Sequence, residues 1–337
     1  SKRWRQSIGT RRYGTTSSPV HADDRIYAGS VSADSVIAAY EGSSGSKEWG
    51  FRSGSTYSSP AVENGTVYFG YDGVVYAVDA GTGAVEWSVE TSGNLMTSVT
   101  VHDGTVYTSG TSTSEKLYAI GADSGTVNWT YSLADLDEPL IYVPPAVDDH
   151  GVVLAVTVSK PSFDVGQIRS LTPDGEEQWR WENPNGDSLI SAPVVDNGRV
   201  FASVGGHGIV ALDRSTGATQ WVHPIEWRYG NNGIFSSPAV ADGIVYGTSS
   251  GRELVALTPT DGSVNWRTDL GFQTVASPVI AGDRLYIGTN NVGFDSDSKP
   301  EMLGIDRTDG TVIWRWEVPF SVTTTASVGD GALVVST

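Results

Sequence analysis

One stretch of the sequence gathers side chains that are typical of ligand and partner binding. It runs from 227 to 232 and reads Trp227, Arg228, Tyr229, Gly230, Asn231 and Asn232. A flat ligand could stack on the two aromatic rings while the guanidinium binds an anionic group. The alternative is a loop that only folds over the mouth of the fold. Further aromatic candidates in long loops are Tyr142, Phe163 and Phe294.

Two carboxylates that lie two residues apart form the metal candidate of the sequence. Asp295 and Asp297 could bind Ca²⁺ together with carbonyl oxygens of their loop. The segment lacks the Gly and the distal Glu of an EF-hand loop, so a solvated acidic loop is the alternative.

Several catalytic motifs are excluded by composition or context. Residues 247–251 match Gly-x-Ser-x-Gly, but a nucleophile elbow needs a strand, a turn and a helix, and this segment lies between two predicted strands. The chain has no Cys, which excludes thiolate catalysis and Cys-based metal sites. The five His are scattered singly, so no His-built zinc site is predicted. His207, between Gly206 and Gly208, either reaches the mouth of the fold or lies in an exposed turn.

These candidates interrupt a sequence that is otherwise one unit repeated. A Trp follows a Gly by four residues at Trp49, Trp87, Trp129, Trp179, Trp221, Trp266 and Trp314. A phrase close to Ser-Ser-Pro-Ala-Val precedes each copy, and a large apolar residue follows its Pro position by eight residues, as Tyr27 follows Pro19. Within 57–90, turn pairs such as Asn64-Gly65 separate four short predicted strands. The unit is therefore a four-stranded antiparallel meander, and stacked meanders predict a β-propeller in which each repeat is a blade.

The spacing predicts an all-β, eight-bladed propeller that forms a single domain over 1–337. The predicted blades cover 16–53, 57–92, 96–133, 142–183, 190–224, 235–270 and 275–318. The eighth is a composite of 323–337 with 1–8, in which Trp4 would be the repeat Trp of a detached fourth strand. Both chain ends would then close the ring in one blade.

The repeat phrase also resembles a known family. Ala77, Asp79, Thr82, Gly83 and Trp87 fit the pattern A-x-D-x-x-T-G-x-x-x-W, which is similar to the tryptophan-docking repeat of the pyrroloquinoline-quinone (PQQ) propellers. That superfamily includes quinoprotein dehydrogenases and non-enzymatic relatives such as the BamB lipoproteins. The resemblance covers the whole chain and implies the propeller fold. Because such relatives are exported and often lipid-anchored, it also implies an extracellular or cell-surface location, with any anchor in a segment outside this chain.

The charge of the chain excludes some partners. There are 21 Lys and Arg against 39 Asp and Glu, for a formal net charge of −18. Such a surface repels nucleic acid and anionic lipid. The scarcity of Lys and abundance of Asp resemble haloarchaeal proteins and predict adaptation to high salt, with a merely soluble acidic protein as the alternative. The longest apolar runs are too short for a transmembrane segment.

The variation in repeat length shows where function is expected. The predicted turns on one face of the propeller have constant length, whereas the second-to-third loops and the links between blades vary. The favoured interpretation is a monomeric, non-catalytic scaffold that binds a protein, peptide or glycan through the variable face and requires no cofactor. The alternatives are a PQQ- and Ca²⁺-dependent quinoprotein dehydrogenase and a ligand sensor.

Overall fold

The computed structural model describes residues 4, 17–29, 35–52, 54, 56, 58–91, 98–110, 116–134, 136, 139, 141–158, 165–186, 190–205, 207–225, 236–248, 252–272, 274–290, 299–322, 324–329 and 331–336. These residues form strands, turns and links, with no helix among them. The predicted all-β propeller of four-stranded antiparallel blades is confirmed. The chain divides into two compact units, Ser1–Pro144 with Ser327–Ser336 and Pro145–Ala326 with Thr337. The single domain stays a prediction.

Unit 1 contains three four-stranded blades and one two-stranded sheet. Blade 1 has strands β1 (Val20–Ala22), β2 (Arg25–Gly29), β3 (Ile37–Glu41) and β4 (Lys47–Phe51). Blade 2 has β5 (Ala61–Glu63), β6 (Thr66–Tyr71), β7 (Val74–Asp79) and β8 (Val85–Glu90). Blade 3 has β9 (Thr100–His102), β10 (Thr105–Ser109), β11 (Lys116–Gly121) and β12 (Val127–Ser132). The two-stranded sheet pairs β29 (Ser327–Gly329) with β30 (Ala332–Val334).

Unit 2 contains four four-stranded blades. Blade 4 has β13 (Ala146–Asp148), β14 (Gly151–Val158), β15 (Val165–Leu171) and β16 (Glu177–Glu182). Blade 5 has β17 (Val194–Asp196), β18 (Arg199–Val204), β19 (Gly208–Asp213) and β20 (Thr219–His223). Blade 6 has β21 (Ala239–Ala241), β22 (Ile244–Thr248), β23 (Glu253–Leu257) and β24 (Val264–Asp269). Blade 7 has β25 (Val279–Ala281), β26 (Arg284–Gly288), β27 (Glu301–Asp306) and β28 (Val312–Glu317).

The second and third strands of each blade form the core. Their residues are almost all buried, whereas β8, β12 and β24 alternate between exposed and half-buried side chains. The hydrophobic clusters run between blades: Tyr68 and Val75 of blade 2 pack with Val106 and Ile120 of blade 3. Each blade therefore buries its apolar faces against its neighbours within a unit, as stacked meanders must.

Within each unit, the repeat Trp of one blade docks on the next blade. Trp49 Nε1 donates a hydrogen bond to the Ala80 carbonyl oxygen at 3.0 Å, and its ring packs against Tyr27 with the centroids 6.0 Å apart. The hydroxyl of Tyr27 donates to the same Ala80 oxygen at 3.1 Å. The same Trp bond joins Trp4 to Gly42, Trp87 to Ala122, Trp179 to Arg214, Trp221 to Pro259 and Trp266 to Arg307. The two repeated phrases of the sequence thus meet at one contact between blades.

The Gly that lies four residues before a repeat Trp permits a tight turn and also leaves space for the Trp ring of the preceding repeat. Gly83 has φ +71, a left-handed conformation that favours Gly. A Cβ on Gly83 would lie 2.7 Å from Cε3 of Trp49, so the docked ring of the preceding blade occupies the space of a side chain. Equivalent close approaches occur at Gly45, Gly125, Gly217, Gly262 and Gly310. One phrase therefore carries both a docking ring and the seat for the ring before it.

The predicted count of eight four-stranded blades is wrong: the described residues form seven, and β29 and β30 pair only with each other. The proposed fourth strand at 1–8 lies outside the described residues except for Trp4. Trp4 Nε1 donates to the Gly42 oxygen at 2.9 Å, the docking bond of the repeat. The prediction of an eighth blade rested in part on this Trp, but its docking bond alone does not establish a four-stranded sheet.

Candidate binding site

Each blade has two ends that differ in their connections. The hairpin end holds the turns between strands one and two and between strands three and four. The loop end holds the turn between strands two and three and the link that leaves strand four.

The polar groups of the hairpin end bond within their own turn. Asp79 Oδ1 accepts hydrogen bonds from the Thr82 backbone nitrogen at 2.8 Å and from its hydroxyl at 2.6 Å. The equivalent Asp213 accepts from both Ser215 and Thr216. These bonds, first from the Ser215 hydroxyl and then from Thr216, lower the pKa of Asp213 to about 2. The carboxylates of these turns thus stabilise the turns by accepting hydrogen bonds from them.

Two ion pairs between blades also occupy the hairpin end of unit 2. Arg214 is 4% exposed, and its Nε and Nη2 contact the two carboxylate oxygens of Asp148 at 3.1 and 2.7 Å. Its Nη1 donates to Ser170 Oγ at 2.7 Å. Arg307, at the equivalent repeat position, pairs with Asp242. Both Arg directly follow the Asp of a repeat phrase, a place that Ala80 holds in blade 2.

The loop end of blades 4 and 5 brings together three side chains that we call the Trp181 cluster: Trp181, Asn185 and His207. Asn185 Nδ2 lies 2.8 Å from His207 Nδ1, and the rings of Trp181 and His207 are 6.4 Å apart at 58°. Because the amide nitrogen is the donor, Nδ1 accepts, and Nε2 of the neutral ring is left as a donor. Asn185 is exposed, and both rings are half-buried.

A buried amide holds the cluster in place. Asn183 is 2% exposed, and its Nδ2 donates to the Gly205 carbonyl oxygen in the turn of blade 5 at 3.2 Å. Its Oδ1 accepts from the Asn185 backbone nitrogen at 3.1 Å. Trp181 Nε1 donates to Thr219 Oγ1 at 3.0 Å. The link that leaves β16 is therefore tied to the next blade, and the geometry of the cluster is fixed before a ligand binds.

Blade 4 supports the same link through a buried guanidinium. Arg169 is fully buried, and its Nε and Nη2 donate to Gln167 Oε1 at 3.1 and 2.9 Å. Gln167 Nε2 then donates to Glu182 Oε2 at 3.1 Å. Glu182 is the last residue of β16. This series of bonds holds the strand end from which the Asn183–Asn185 segment departs.

The loop end of blades 1 and 2 carries a second group, the Arg52 cluster, formed by Phe51, Arg52 and Tyr76. The Arg52 guanidinium lies 5.2 Å from the centroid of Phe51 and 5.3 Å from that of Tyr76. Its Nη1 donates to the Tyr76 hydroxyl at 3.2 Å. Both rings are only 6% exposed, whereas Arg52 is exposed. A cation on buried rings is stabilised by their quadrupoles while its outer N–H groups stay accessible.

A buried imidazole lies on the last strand of blade 5. His223 is 8% exposed, and its Nε2 is 3.5 Å from Arg267 Nη2. Burial, and then the neighbouring Arg267 charge, lower the pKa of His223 below its usual value of 6.5. The ring is accordingly neutral in the fold at neutral pH.

The predicted site residues fall into two groups. Tyr142 is 61% exposed in the link before blade 4, as expected of a binding residue. The remaining candidates lie outside the described residues: Phe163, Trp227, Arg228, Tyr229, Asn231, Asn232, Phe294, Asp295 and Asp297. His207, which the sequence analysis placed at the mouth of the fold or in an exposed turn, belongs to the Trp181 cluster. The sequence analysis missed Arg52, Trp181, Asn183 and Asn185, although a second Trp two residues after Trp179 was a visible departure from the repeat.

A bound cofactor would need ligands from this chain. Within the described ranges, no three His, Asp or Glu side chains come close enough to hold a metal ion. No helix in the described part of the chain is long and apolar enough to cross a membrane.

Comparison with known proteins places the chain among propellers. BamB from Moraxella catarrhalis is 18% identical, with a TM-score of 0.65 over 96% of this chain and 92% of that chain. The quinohemoprotein alcohol dehydrogenase ADHIIG from Pseudomonas putida HK5 is 15% identical, with a TM-score of 0.70 over 94% of this chain and 68% of that chain. The computationally designed Ika8 protein is 15% identical, with a TM-score of 0.72 over 98% and 96%. At these identities the likeness shows the fold alone.

The sequence itself gives the family. No curated protein matches the chain. The family model described as outer membrane protein assembly factor BamB matches residues 1–138, 71–234 and 225–337. These ranges together span the sequence and confirm the resemblance that the repeat phrase indicated, so the chain belongs to the family of the outer membrane protein assembly factor BamB.

Proposed function

We propose that this protein is a non-catalytic binding propeller that acts through the loop ends of its blades. The observation that carries this proposal is the Trp181 cluster. There an aromatic ring, an amide and an imidazole are held together outside the repeat phrase and remain partly exposed. Loops on a rigid scaffold are the usual location of binding residues.

The difference between the blade ends supports this assignment. At the hairpin end, Asp79 and Asp213 accept hydrogen bonds from their own turns, and Arg214 is buried against Asp148. At the loop end, His207 Nε2 has no partner among the described residues. Unused donors beside an aromatic ring are what a partner can engage.

The partner class follows from chemistry and from the family. A half-buried Trp beside an amide and an imidazole suits a peptide segment or a glycan, because it offers apolar area together with hydrogen-bonding groups. The family description, outer membrane protein assembly, supports a protein or peptide partner and a location at the cell surface. The net charge of −18 argues against nucleic acid. The protein acts as a monomer.

This function requires no cofactor. The competing activity is that of the quinohemoprotein alcohol dehydrogenases, whose fold the chain shares. A visible spectrum recorded after incubation with PQQ and Ca²⁺ separates the two. A quinoprotein takes up the chromophore and retains it through gel filtration, whereas a binding scaffold does not.

The decisive experiment replaces the Trp181 cluster as a block. The triple variant Trp181→Ala, Asn185→Ala, His207→Ala should lose capture of the partner that the parent protein retains from a native extract and that mass spectrometry identifies. The block leaves the docking ring of Trp179 untouched, so circular dichroism should show an intact fold.

The matched control lies at the hairpin end. Asn64 and Asp103 are turn residues at φ 51 and φ 45 with exposed side chains. Replacing both by Gly, which tolerates this conformation, should leave capture unchanged. Asp242 is unsuitable as a control because it pairs with Arg307. If the control block abolishes capture and the Trp181 block does not, the proposed function is wrong.

A further inference from the structure

We infer that the Arg52 cluster is a binding site for a carboxylate of the partner protein, from an Asp or Glu side chain. This inference deepens the proposed function, since it assigns a chemical class to one contact at the loop end. It is carried by the position of the Arg52 guanidinium on two buried rings, with no carboxylate of the described residues within 4.0 Å of it.

The backbone of Arg52 is held in an unusual conformation. Among the described residues, nine non-Gly residues have positive φ, and seven of them are Asp or Asn, which tolerate that region. Arg52, at φ 44, is one of the two exceptions. The Val36 backbone nitrogen donates to the carbonyl oxygens of both Phe51 and Arg52 at 3.0 Å, which fixes the segment. Strained backbone of this kind is concentrated at functional sites.

The guanidinium is oriented by its own contacts. It stacks on Phe51 and Tyr76, and the Tyr76 hydroxyl accepts from Nη1 at 3.2 Å. The rings are themselves locked, because Phe51 lies 5.0 Å from Tyr76 and 5.2 Å from Phe69 between centroids. Because these contacts already restrict the rotamers of Arg52, binding of a ligand carries a smaller entropy cost for ordering this side chain.

The charge around Arg52 differs from that around other Arg residues of the chain. Arg25 pairs with Glu48, Arg214 with Asp148 and Arg267 with Glu253. Among the described residues, no carboxylate lies within 4.0 Å of Arg52, although acidic residues outnumber basic ones in the sequence. The exposed N–H groups of its guanidinium are therefore available to donate two parallel hydrogen bonds to a carboxylate.

A carboxylate suits this site better than a phosphate. Phosphate sites are built from clusters of Arg, and here a single guanidinium is joined only by a neutral Tyr hydroxyl and two rings. The chain carries a net charge of −18, so a dianion meets more repulsion than a monoanion. The flat guanidinium and the flat carboxylate also match in shape, with two parallel hydrogen bonds.

The test uses a short peptide that is acetylated and amidated at its ends, with one Glu between two Phe. A matched peptide carries Gln in place of Glu, and phenyl phosphate forms the third arm. Binding is followed by nuclear magnetic resonance of the Arg Nε–H groups, in which the Arg52 signal is assigned by its loss in Arg52→Lys. We expect the Glu peptide to shift the Arg52 signal and the Gln peptide to leave it unchanged.

Substitutions measure the contribution of each part. Arg52→Gln should weaken binding of the Glu peptide at least about tenfold, because the bidentate charge-assisted pair is lost. Tyr76→Phe keeps the stacked ring and should weaken binding only about two- to fivefold through loss of the hydroxyl that orients the fork. The matched control is Arg199→Gln at the hairpin end, where Arg199 Nε contacts Gln220 rather than a carboxylate. It should bind like the parent.

Three results would overturn the inference: no shift with the Glu peptide, equal shifts with the Glu and Gln peptides, or parental binding in Arg52→Gln. A stronger shift with phenyl phosphate would reassign the site to phosphate and also overturn it. Should Arg52→Gln unfold, Arg52→Lys and Tyr76→Phe carry the same comparison. These outcomes are independent of the proposed function, which is tested by partner capture with the Trp181 cluster.

Discussion

The two ends of a blade are built from the same strands but use their polar residues in opposite ways. At the hairpin end, the Asp213 carboxylate accepts four hydrogen bonds from its own turn, and Arg214 is buried in a pair with Asp148. At the loop end, Arg52 and His207 contact aromatic rings and keep donors for solvent. The repeated residues thus bond within the framework of the blades, and we propose that the departures from the repeat serve recognition.

The largest effect should come from the docking Trp residues. Trp221 is 8% exposed, and its Nε1 donates to the Pro259 oxygen at 2.7 Å. Trp221→Ala removes this bond and leaves a cavity between blades 5 and 6. We expect a loss of about 3–5 kcal/mol in the free energy of unfolding, measured by urea denaturation.

The matched control is Trp181→Ala, which removes the same side chain from a half-buried position at the loop end. Its cost should be clearly smaller than that of Trp221→Ala. Equal losses in the two variants would contradict the division between a stabilising end and a recognition end.

The next effect concerns the ion pair of the hairpin end. Asp148→Ala leaves the Arg214 guanidinium, which is 4% exposed, without its carboxylate. We expect a loss of about 2 kcal/mol, below the ~3–5 kcal/mol for a fully buried pair, because Asp148 is 25% exposed. The double variant Asp148→Ala, Arg214→Met should recover most of it in the same denaturation experiment. A double variant less stable than Asp148→Ala would contradict the assignment.

The sequence predicted the repeating part of the molecule well, for a physical reason. The Gly83 and Trp87 spacing recurs because the turn at Gly83, like those at Gly45, Gly125, Gly217, Gly262 and Gly310, leaves room for the Trp ring of the preceding repeat. The turn of Asn64 and Gly65 was predictable because both adopt positive φ readily, at 51 and 78. The blade count failed because Trp4 docks like its equivalents without a described sheet around it.

The binding clusters were not predictable in the same way. Asn185 and His207 are 22 residues apart in two different blades, and they meet only because the blades stack. Nothing in the residue type of Arg52 indicates a positive φ, since Arg is neither Gly nor Asn. Repetition is visible in one sequence, but contacts between unrepeated loops depend on the assembled fold.

The melting temperature at different salt concentrations tests whether repulsion among the acidic surface residues destabilises the fold. Dilution from molar NaCl to about 0.1 M lengthens the Debye length from ~3 to ~10 Å and restores repulsion among surface carboxylates. With a net charge of −18, the melting temperature should fall by several degrees, as followed by circular dichroism. An equal dilution series in sucrose at constant salt controls for solvent exclusion. An unchanged melting temperature would remove the prediction of adaptation to high salt.

The pH dependence of the free energy of unfolding should report the titration of His223. Its folded pKa is lowered by burial and then by Arg267, so the unfolded chain binds the proton more tightly. Stability from the neutral ring is therefore complete above the ordinary pKa of 6.5 and is lost as the pH falls through the lower folded value. The free energy of unfolding of the parent should decrease between pH 7.5 and pH 5. His223→Gln should flatten that slope, and an unchanged slope would show that another group titrates.

The smallest expected effect is the sharpest test of the contrast between the two ends. Asn185 is exposed, and it contacts His207 through one hydrogen bond at 2.8 Å, whereas the buried anchor of the link is Asn183. Asn185→Ala and His207→Ala should each change the free energy of unfolding by no more than about 0.5 kcal/mol, as expected for surface substitutions. Asn183→Ala should cost about 1–3 kcal/mol, because it leaves the Gly205 oxygen without its buried donor. Urea denaturation of the three variants measures these free energies of unfolding. If Asn185→Ala costs as much as Asn183→Ala, the Trp181 cluster is part of the framework of the blades, and its exposed groups are not reserved for a partner.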